Sequence, residues 1–260
     1  MQIIVSIFFV CYNMFGEKMK LKRYYTNSNL AENKIITLDG EEYHHLKNVM
    51  RTNVGDHVLL FNGTSTEAEG EVKSLSKQSG EILILKTEEN KSEPTVCLTL
   101  YQAVCKGEKL SLITQKITEL GATAMTVFYS DYTDIKDKTS KLEKLEKVSI
   151  SACKQCGRSS ILKIDGVLSF AQMAEKLSKH DKVFVAYENA NQVSLFDSLQ
   201  KQNNYKDVAI IIGAEGGFSE KEIQILESKN AEIVTLGKRI LRTETAAIAS
   251  VAQIMFATEK

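Results

Sequence analysis

Val208-Ala-Ile-Ile-Ile-Gly213-Ala-Glu215-Gly216-Gly217-Phe-Ser219-Glu-Lys-Glu222 is the stretch on which the fold turns. Its unbroken apolar run predicts a strand buried on both faces, as a parallel sheet requires. The glycines that follow let backbone approach a ligand at the carboxyl end of that strand, the edge where open α/β sheets bind. Ser219 with Glu222 three residues later predicts a capping box and therefore a helix start. On its own, such a turn also suits a tight connection that binds nothing.

The same alternation extends outward in both directions. Strands are predicted at residues 96–103, 124–129, 161–164, 182–187, 208–213 and 232–237. Between them lie amphipathic stretches: Leu110, Ile113, Ile117 and Leu120, ended by Gly121, and Leu142, Leu145, Val148 and Ala152, ended by Gly157. A glycine just past the last apolar position is a common helix C-cap. The predicted fold class is α/β, a mainly parallel sheet covered by helices on both faces.

Residues 23–88 have a different texture. Short apolar runs are broken by turn residues, as in Ile35-Ile-Thr-Leu38 before Asp39-Gly40, Val58-Leu-Leu-Phe61 before Asn62-Gly63, and Ile82-Leu-Ile-Leu85. This pattern predicts a small β-barrel or sandwich. Asn62-Gly63 predicts a type I′ hairpin, and residues 43–51 a short helical insert. The polar stretch 87–94 carries the only proline and marks the domain boundary, giving domains at 19–90 and 95–260 behind an extension at 1–18. The apolar run from Ile3 to Val10 is too short to span a bilayer and lacks a basic flank, so no targeting signal is predicted. Met19 begins a more ordinary start.

Composition narrows the function classes. With 43% hydrophobic residues over 260 positions the chain can bury a globular core, and 33 basic against 33 acidic residues leave no net charge. Any nucleic-acid site must then be a local patch. Basic residues gather at Lys18, Lys20, Lys22 and Arg23, and again at Lys238, Arg239 and Arg242. Five cysteines, an odd number without the spacing of a disulfide framework, point to a reducing compartment and a cytoplasmic protein. Cys153 and Cys156 have the spacing of half a zinc site, but no second close pair of ligands exists, so no metal is expected and the thiols are assigned to helix packing.

A second polar cluster follows one strand after the first. Thr235-Leu-Gly-Lys-Arg-Ile-Leu-Arg-Thr-Glu-Thr-Ala-Ala247 leads into an Ala-rich helix predicted at 246–258, and Arg239, Arg242, Thr243, Glu244 and Thr245 outnumber the capping groups a structural loop needs. Thr243 or Thr245 is the expected N-cap.

Together these stretches carry a family resemblance. Ile212-Gly-Ala-Glu-Gly-Gly-Phe-Ser219, Leu236-Gly-Lys-Arg-Ile-Leu-Arg-Thr-Glu-Thr-Ala246, Gln115-Lys-Ile-Thr-Glu-Leu-Gly121 and Gln155-Cys-Gly-Arg158 resemble the RsmE family, ribosomal RNA uridine-N3 methyltransferases of the SPOUT superfamily. Tyr43-His-His-Leu-Lys-Asn-Val-Met-Arg51 and Gly55-Asp56 are similar to that family's N-terminal domain. Two departures stand out: Ala214 occupies the family's usual proline position, and Ser130-Asp-Tyr-Thr133 lacks the arginine of the family's corresponding segment.

The resemblance implies a PUA-like barrel that engages RNA, a knotted α/β domain, a homodimer with the knot at its interface, S-adenosylmethionine as cofactor, and 16S ribosomal RNA or the assembled small subunit as partner. It assigns the cofactor cradle to Gly213, Glu215, Gly216, Gly217, Leu236, Gly237, Ile240, Leu241 and Thr243. Arg242 is the expected stabiliser of the uridine N3 anion. Glu215 or Glu244 either takes the N3 proton, orients the base, or merely pairs with an arginine. The expected RNA contacts are Arg23, Arg51 and Arg158. A nucleotide-binding oxidoreductase is the runner-up enzyme class and is disfavoured, because no Gly-x-Gly-x-x-Gly follows the first strand of the α/β region. The remaining alternative is a non-catalytic RNA-binding protein of the same fold.

Overall fold

The computed structural model describes residues 21–133, 142–188, 193–202 and 204–259. The extension expected at 1–18, with Lys18 and Lys20, lies outside the described residues. The chain forms two compact units: residues up to Asn62 together with Glu67–Glu88, and Gly63–Thr66 together with residues from Glu89 onward.

The first unit holds a five-stranded sheet of β1 (Lys22–Tyr25), β2 (Ile35–Leu38), β3 (His57–Phe61), β4 (Thr66–Leu75) and β5 (Gly80–Glu89), in the order β1-β3-β4-β5-β2. Alternation sorts its side chains. Ile36 and Leu38 are buried with Tyr24, Leu60, Ile82 and Ile84, whereas Ile35 is 55% exposed. The helical insert is α1 (Gly40–His44), continued by a π-helical turn at His45–Val49 that buries Leu46. The expected two-residue hairpin at Asn62-Gly63 is absent. Residues 62–65 separate β3 from β4, and only Gly63, not Asn62, has positive φ. A type I′ turn needs positive φ at both centres. The wider loop is stabilised instead by Thr64 Oγ1 accepting from the Thr66 N–H and by the Ser65 carbonyl accepting from the Asn90 N–H.

The second unit is an all-parallel six-stranded sheet ordered β11-β9-β10-β6-β7-β8. In chain order the elements are β6 (Cys97–Ala103), α2 (Lys109–Glu119), β7 (Ala124–Tyr129), α3 (Leu142–Cys156), β8 (Lys163–Ser169), α4 (Phe170–Lys176), β9 (Lys182–Ala186), α5 (Leu195–Lys201), β10 (Asp207–Ile212), α6 (Glu220–Ser228), β11 (Glu232–Val234) and α7 (Thr243–Thr258). Successive residues of the central strands feed opposite cores. Leu98, Leu100, Val208, Ile210 and Ile212 pack with α2, α3, α5 and α7, while Tyr101, Ala209 and Ile211 pack with α4 and α6. From β6 the chain moves outward through β7 and β8, then crosses to the other side of the sheet, so β6 and β10 are neighbours at the switch point. Their adjacent carboxyl ends are where such a sheet opens a crevice.

Three expectations need correction. β11 stops at Val234, not at 237, because Gly237 takes φ +114 and its N–H turns back to Thr235 Oγ1. α7 begins at Thr243, ahead of 246, and its N-cap is Arg242 without a side-chain bond, so neither Thr243 nor Thr245 caps it. β8 runs to Ser169, beyond the predicted 164. Cys153 packs as expected, buried on α3 with its thiol donating to the Ser160 carbonyl.

Burial on the sheet leaves a titration signature. Desolvation, with Asp165 and Asp207 nearby, pushes the Tyr101 hydroxyl up from 10.0 to about 12, and desolvation pushes the Cys153 thiol from 9.0 to about 11 despite Arg158. A raised folded pKa means the neutral form is favoured by folding. The stabilisation is complete below the unfolded pKa and is lost as pH rises through the folded one. Stability is therefore expected to fall between pH 9 and 12, with Tyr101 contributing about 2 kcal/mol. Melting curves across that range should show a flatter decline in Tyr101→Phe than in the wild type; parallel declines would contradict the assignment.

Candidate active site

Four segments meet at the carboxyl edge of the second unit's sheet: those after β6, β9, β10 and β11. A buried polar knot ties three of their elements together. Gln102, fully buried near the end of β6, donates through Nε2 to Thr243 Oγ1 at 3.0 Å and to the Gly213 carbonyl at 3.4 Å. Thr243 Oγ1 in turn donates to that carbonyl at 2.6 Å. The first residue of α7 is thus fastened to the turn after β10, and Thr243 shapes the cradle rather than capping a helix. Gln102 Oε1 has no hydrogen-bond partner among the described residues.

The glycines are required here by space and by conformation. A Cβ on Gly213 would lie 3.2 Å from the Gly217 backbone and from the Phe218 ring. One on Gly217, at φ +70, would meet Glu188 Oε1 at 2.8 Å, and one on Gly216 would meet Tyr132 Cβ at 2.8 Å. Around this backbone lie two adjoining cavities. The larger, about 370 Å3, is lined by Gly213, Glu215, Gly217, Arg242 and Thr243 and shares Ile240 and Leu241 with the smaller, about 100 Å3, which Leu236 and Gly237 also line. Gly216 and Glu244 line neither. Among the described residues the backbone N–H groups of Leu236, Ile240 and Leu241 enter no backbone hydrogen bond, leaving donors and tight glycine-lined space suited to a nucleoside. A larger hollow of about 850 Å3 beside Tyr129, Phe170 and Ile225 contains none of the expected cofactor residues.

Charge is distributed unevenly around the larger cavity. Lys109, at the start of α2, donates to Glu215 Oε1 at 2.8 Å and lies 3.6 Å from Glu244 Oε2. The Lys106 N–H also donates to Glu215 Oε1. Burial pushes the Glu215 carboxyl up, but the Lys109 ammonium and the Lys106 N–H outweigh it and hold it below the usual range; the Glu215 hydrogen bond raises Lys109 in return. Glu244 Oε2 is buried and accepts no hydrogen bond. Arg242 is exposed, and among the described residues nothing pairs with its guanidinium. Lys109 and Lys106 were not anticipated from the sequence, although their place just past the carboxyl end of a predicted parallel strand was the available signal.

The α6 capping box is present, with Ser219 Oγ accepting from the Glu222 N–H and Glu222 Oε2 accepting from the Ser219 N–H. Glu222 is only 2% exposed and also accepts from the Asp131 N–H and Ser130 Oγ. The Ser130-Asp131 segment is thereby pinned to the helix start.

The three arginines expected at RNA are placed very differently. Arg51 is exposed, at φ +48, a strained conformation for a side chain of its size. The Arg23 side chain is 9% exposed, paired with Glu67 at 3.0 Å and stacked over Phe61. Arg158 is 4% exposed; it pairs with Glu93 and donates to the Thr118 and Ala122 carbonyls. Its guanidinium is consumed in holding α2, the turn after it and residue 93 together, so it lies in the interior and not at an RNA-facing surface. Among the described residues no cluster of three or more His, Cys, Asp or Glu side chains is arranged to hold a metal ion.

An RNA methyltransferase domain model matches residues 91–255, and an RNA methyltransferase PUA domain model matches residues 38–85. The ribosomal RNA small subunit methyltransferase E of Bacillus subtilis is 33% identical over 251 residues, covering 92% of this chain and 98% of its own length. The chain belongs to the ribosomal RNA small subunit methyltransferase E family. Its fold class, a PUA-like domain followed by a SPOUT-type α/β methyltransferase domain, is the one expected. Two solved relatives have the same architecture. A methyltransferase E from Neisseria gonorrhoeae bound to S-adenosylmethionine is 28% identical with a TM-score of 0.84, covering 92% of this chain and 98% of that one. A Legionella pneumophila methyltransferase in complex with the same cofactor is 27% identical with a TM-score of 0.85, covering 93% and 100%. Both of these solved relatives hold S-adenosylmethionine.

Proposed function

We propose that this chain transfers the methyl group of S-adenosylmethionine to N3 of a uridine in 16S ribosomal RNA. The observation that carries the reading is the unpaired Arg242 guanidinium at a glycine-walled cavity in a member of this family. S-adenosylmethionine supplies an electrophilic methyl on a sulfonium; the chain's residues supply everything else. Gly213, Gly217, Leu236, Gly237, Ile240 and Leu241 would hold the nucleoside end through backbone, and Thr243 keeps the Gly213 carbonyl in position.

Uracil N3 must lose its proton to become a nucleophile, and the resulting charge spreads onto its two carbonyl oxygens. Arg242 faces that charge. Its bond strengthens as charge develops, and that difference between ground and transition states is what raises the rate. Of the two carboxylates, Glu215 has its Oε1 occupied by Lys109 and Lys106 and is held ionised, which fits a positioning role. Glu244, which lines neither cavity but has a buried Oε2 free of hydrogen bonds and 3.6 Å from the Lys109 ammonium, is the remaining candidate for proton acceptor. Arg51 is the most available of the expected RNA contacts, and the base must leave its stack to reach the cavity.

The proposal includes a homodimer. The apolar residues of α7 are not confined to one face, yet Phe256 is 90% exposed, and Ile240 in the preceding loop is 86% exposed. A helix that is apolar around most of its circumference is normally covered. Light scattering is expected to give a dimer mass for the wild type and a monomer mass for Phe256→Glu. The proposed protein works in the cytoplasm; no helix among the described residues is long and apolar enough to cross a membrane. The reading is tested by incubating the protein with tritiated S-adenosylmethionine and either small subunits, large subunits or naked 16S RNA. Label confined to the small subunit or its RNA is expected. Absence of label everywhere would favour a non-catalytic RNA-binding protein.

A further inference from the structure

Glu188, just past β9, lines both cavities. Its carboxylate lies directly against Gly217, since a Cβ there would come within 2.8 Å of Oε1 and 3.5 Å of Oε2. It therefore faces the larger cavity, which Gly217 lines and the smaller one lacks. The neighbouring acids have a cation: Glu215 and Glu244 share Lys109. Glu188 has none, for among the described residues no hydrogen bond or ion pair engages it.

Of the four charged side chains that line the larger cavity, Lys109 and Glu215 satisfy each other, which leaves the Glu188 carboxylate and the Arg242 guanidinium without partners among the described residues. S-adenosylmethionine carries a sulfonium, an ammonium and a carboxylate, and is a net monocation. When the methyl leaves for uracil nitrogen, the carbon–sulfur electron pair stays on sulfur, and the product S-adenosylhomocysteine is a neutral thioether zwitterion. We infer that Glu188 sets the preference for the sulfonium cofactor over its demethylated product, by facing the positive charge that the reaction removes. The inference rests on the proposed use of S-adenosylmethionine.

The attraction is greatest in the ground state and fades as sulfur loses its charge. Such an interaction aids cofactor capture and product release and does not accelerate the chemical step. Glu188 is a specificity residue, distinct in role from Arg242. Because the carboxylate is exposed, solvent screens it and the effect is moderate.

Calorimetric titration of the full chain with S-adenosylmethionine and with S-adenosylhomocysteine tests this. In Glu188→Gln, which keeps the shape and removes the charge, affinity for S-adenosylmethionine should fall roughly five- to tenfold at low salt, with less than a twofold change for S-adenosylhomocysteine. Glu188→Asp should keep most of the preference, and in turnover assays Glu188→Gln should raise KM for the cofactor without lowering kcat. Equal losses for both ligands, or no loss for either, would overturn the inference while leaving the proposed function standing. A wild-type protein that binds neither ligand would overturn both.

Discussion

Arg242→Ala is expected to lower kcat for methyl transfer by at least about 100-fold, the scale on which removal of one preorganised anion-stabilising donor is felt. Its melting temperature should stay within about 2 °C of wild type, because exposed side chains without partners contribute within about 0.5 kcal/mol. The two halves of this expectation come from one fact. A guanidinium that nothing pairs with among the described residues costs little to remove structurally, and at the N-cap of α7 it lines the cavity at which the proposed mechanism has uracil's charge develop. Cofactor affinity should change little, since the cradle is mainly backbone. Arg242→Lys should recover part of the rate by restoring a point charge without the planar fork. Wild-type turnover in the alanine variant would remove Arg242 from the mechanism.

The second large effect is expected at Arg158, on stability and not on RNA binding. Its guanidinium pairs with Glu93 Oε2 at 3.1 Å, while Glu93 Oε1 accepts from the Ser159 and Ser160 N–H groups. Arg158→Ala strands a mostly buried carboxylate and leaves the Thr118 and Ala122 carbonyls without their donor. Breaking one partner of a buried pair costs about 3–5 kcal/mol. That corresponds to a drop in melting temperature of roughly 10 °C in a unit of this size. Glu93→Ala should cost a similar amount, and the double variant much less than the sum. An Arg158→Ala protein with unchanged melting temperature and lost RNA affinity would restore the surface role that the sequence suggested.

These two arginines show where sequence reasoning succeeds and where it stops. The β10 strand, its glycine turn and the α6 helix were legible because an unbroken apolar run and a Ser-x-x-Glu capping box are local signals. A capping box also marks α4 through Ser169 and Gln172, and an N-cap by Ser194, accepting from the Asp197 N–H, marks α5, but seven-residue helices are too short for periodicity to reveal. Gln102 was visible as a polar residue inside an apolar strand and its meaning was missed, because its partners lie 111 and 141 residues away. Lys109 was missed for the same reason, its carboxylate partner being 106 residues distant. Arg158 sits just past a helix C-cap, a place that suggests solvent, and only the fold reveals that Glu93 and two carbonyls enclose it. Local patterns set the elements and the glycine cradle; which charges are paired and which stay free depends on long-range packing that no local pattern carries.

In the proposed function, the Arg242 guanidinium beside the glycine cradle serves methylation of uracil nitrogen. This role is tested most directly by digesting 16S RNA, after reaction of the purified protein with labelled S-adenosylmethionine and unmethylated small subunits, and identifying the labelled nucleoside by mass spectrometry. Label is expected in N3-methyluridine with wild-type protein and almost none with Arg242→Ala. Label in any other nucleoside, or in N3-methyluridine at equal levels with both proteins, would contradict it.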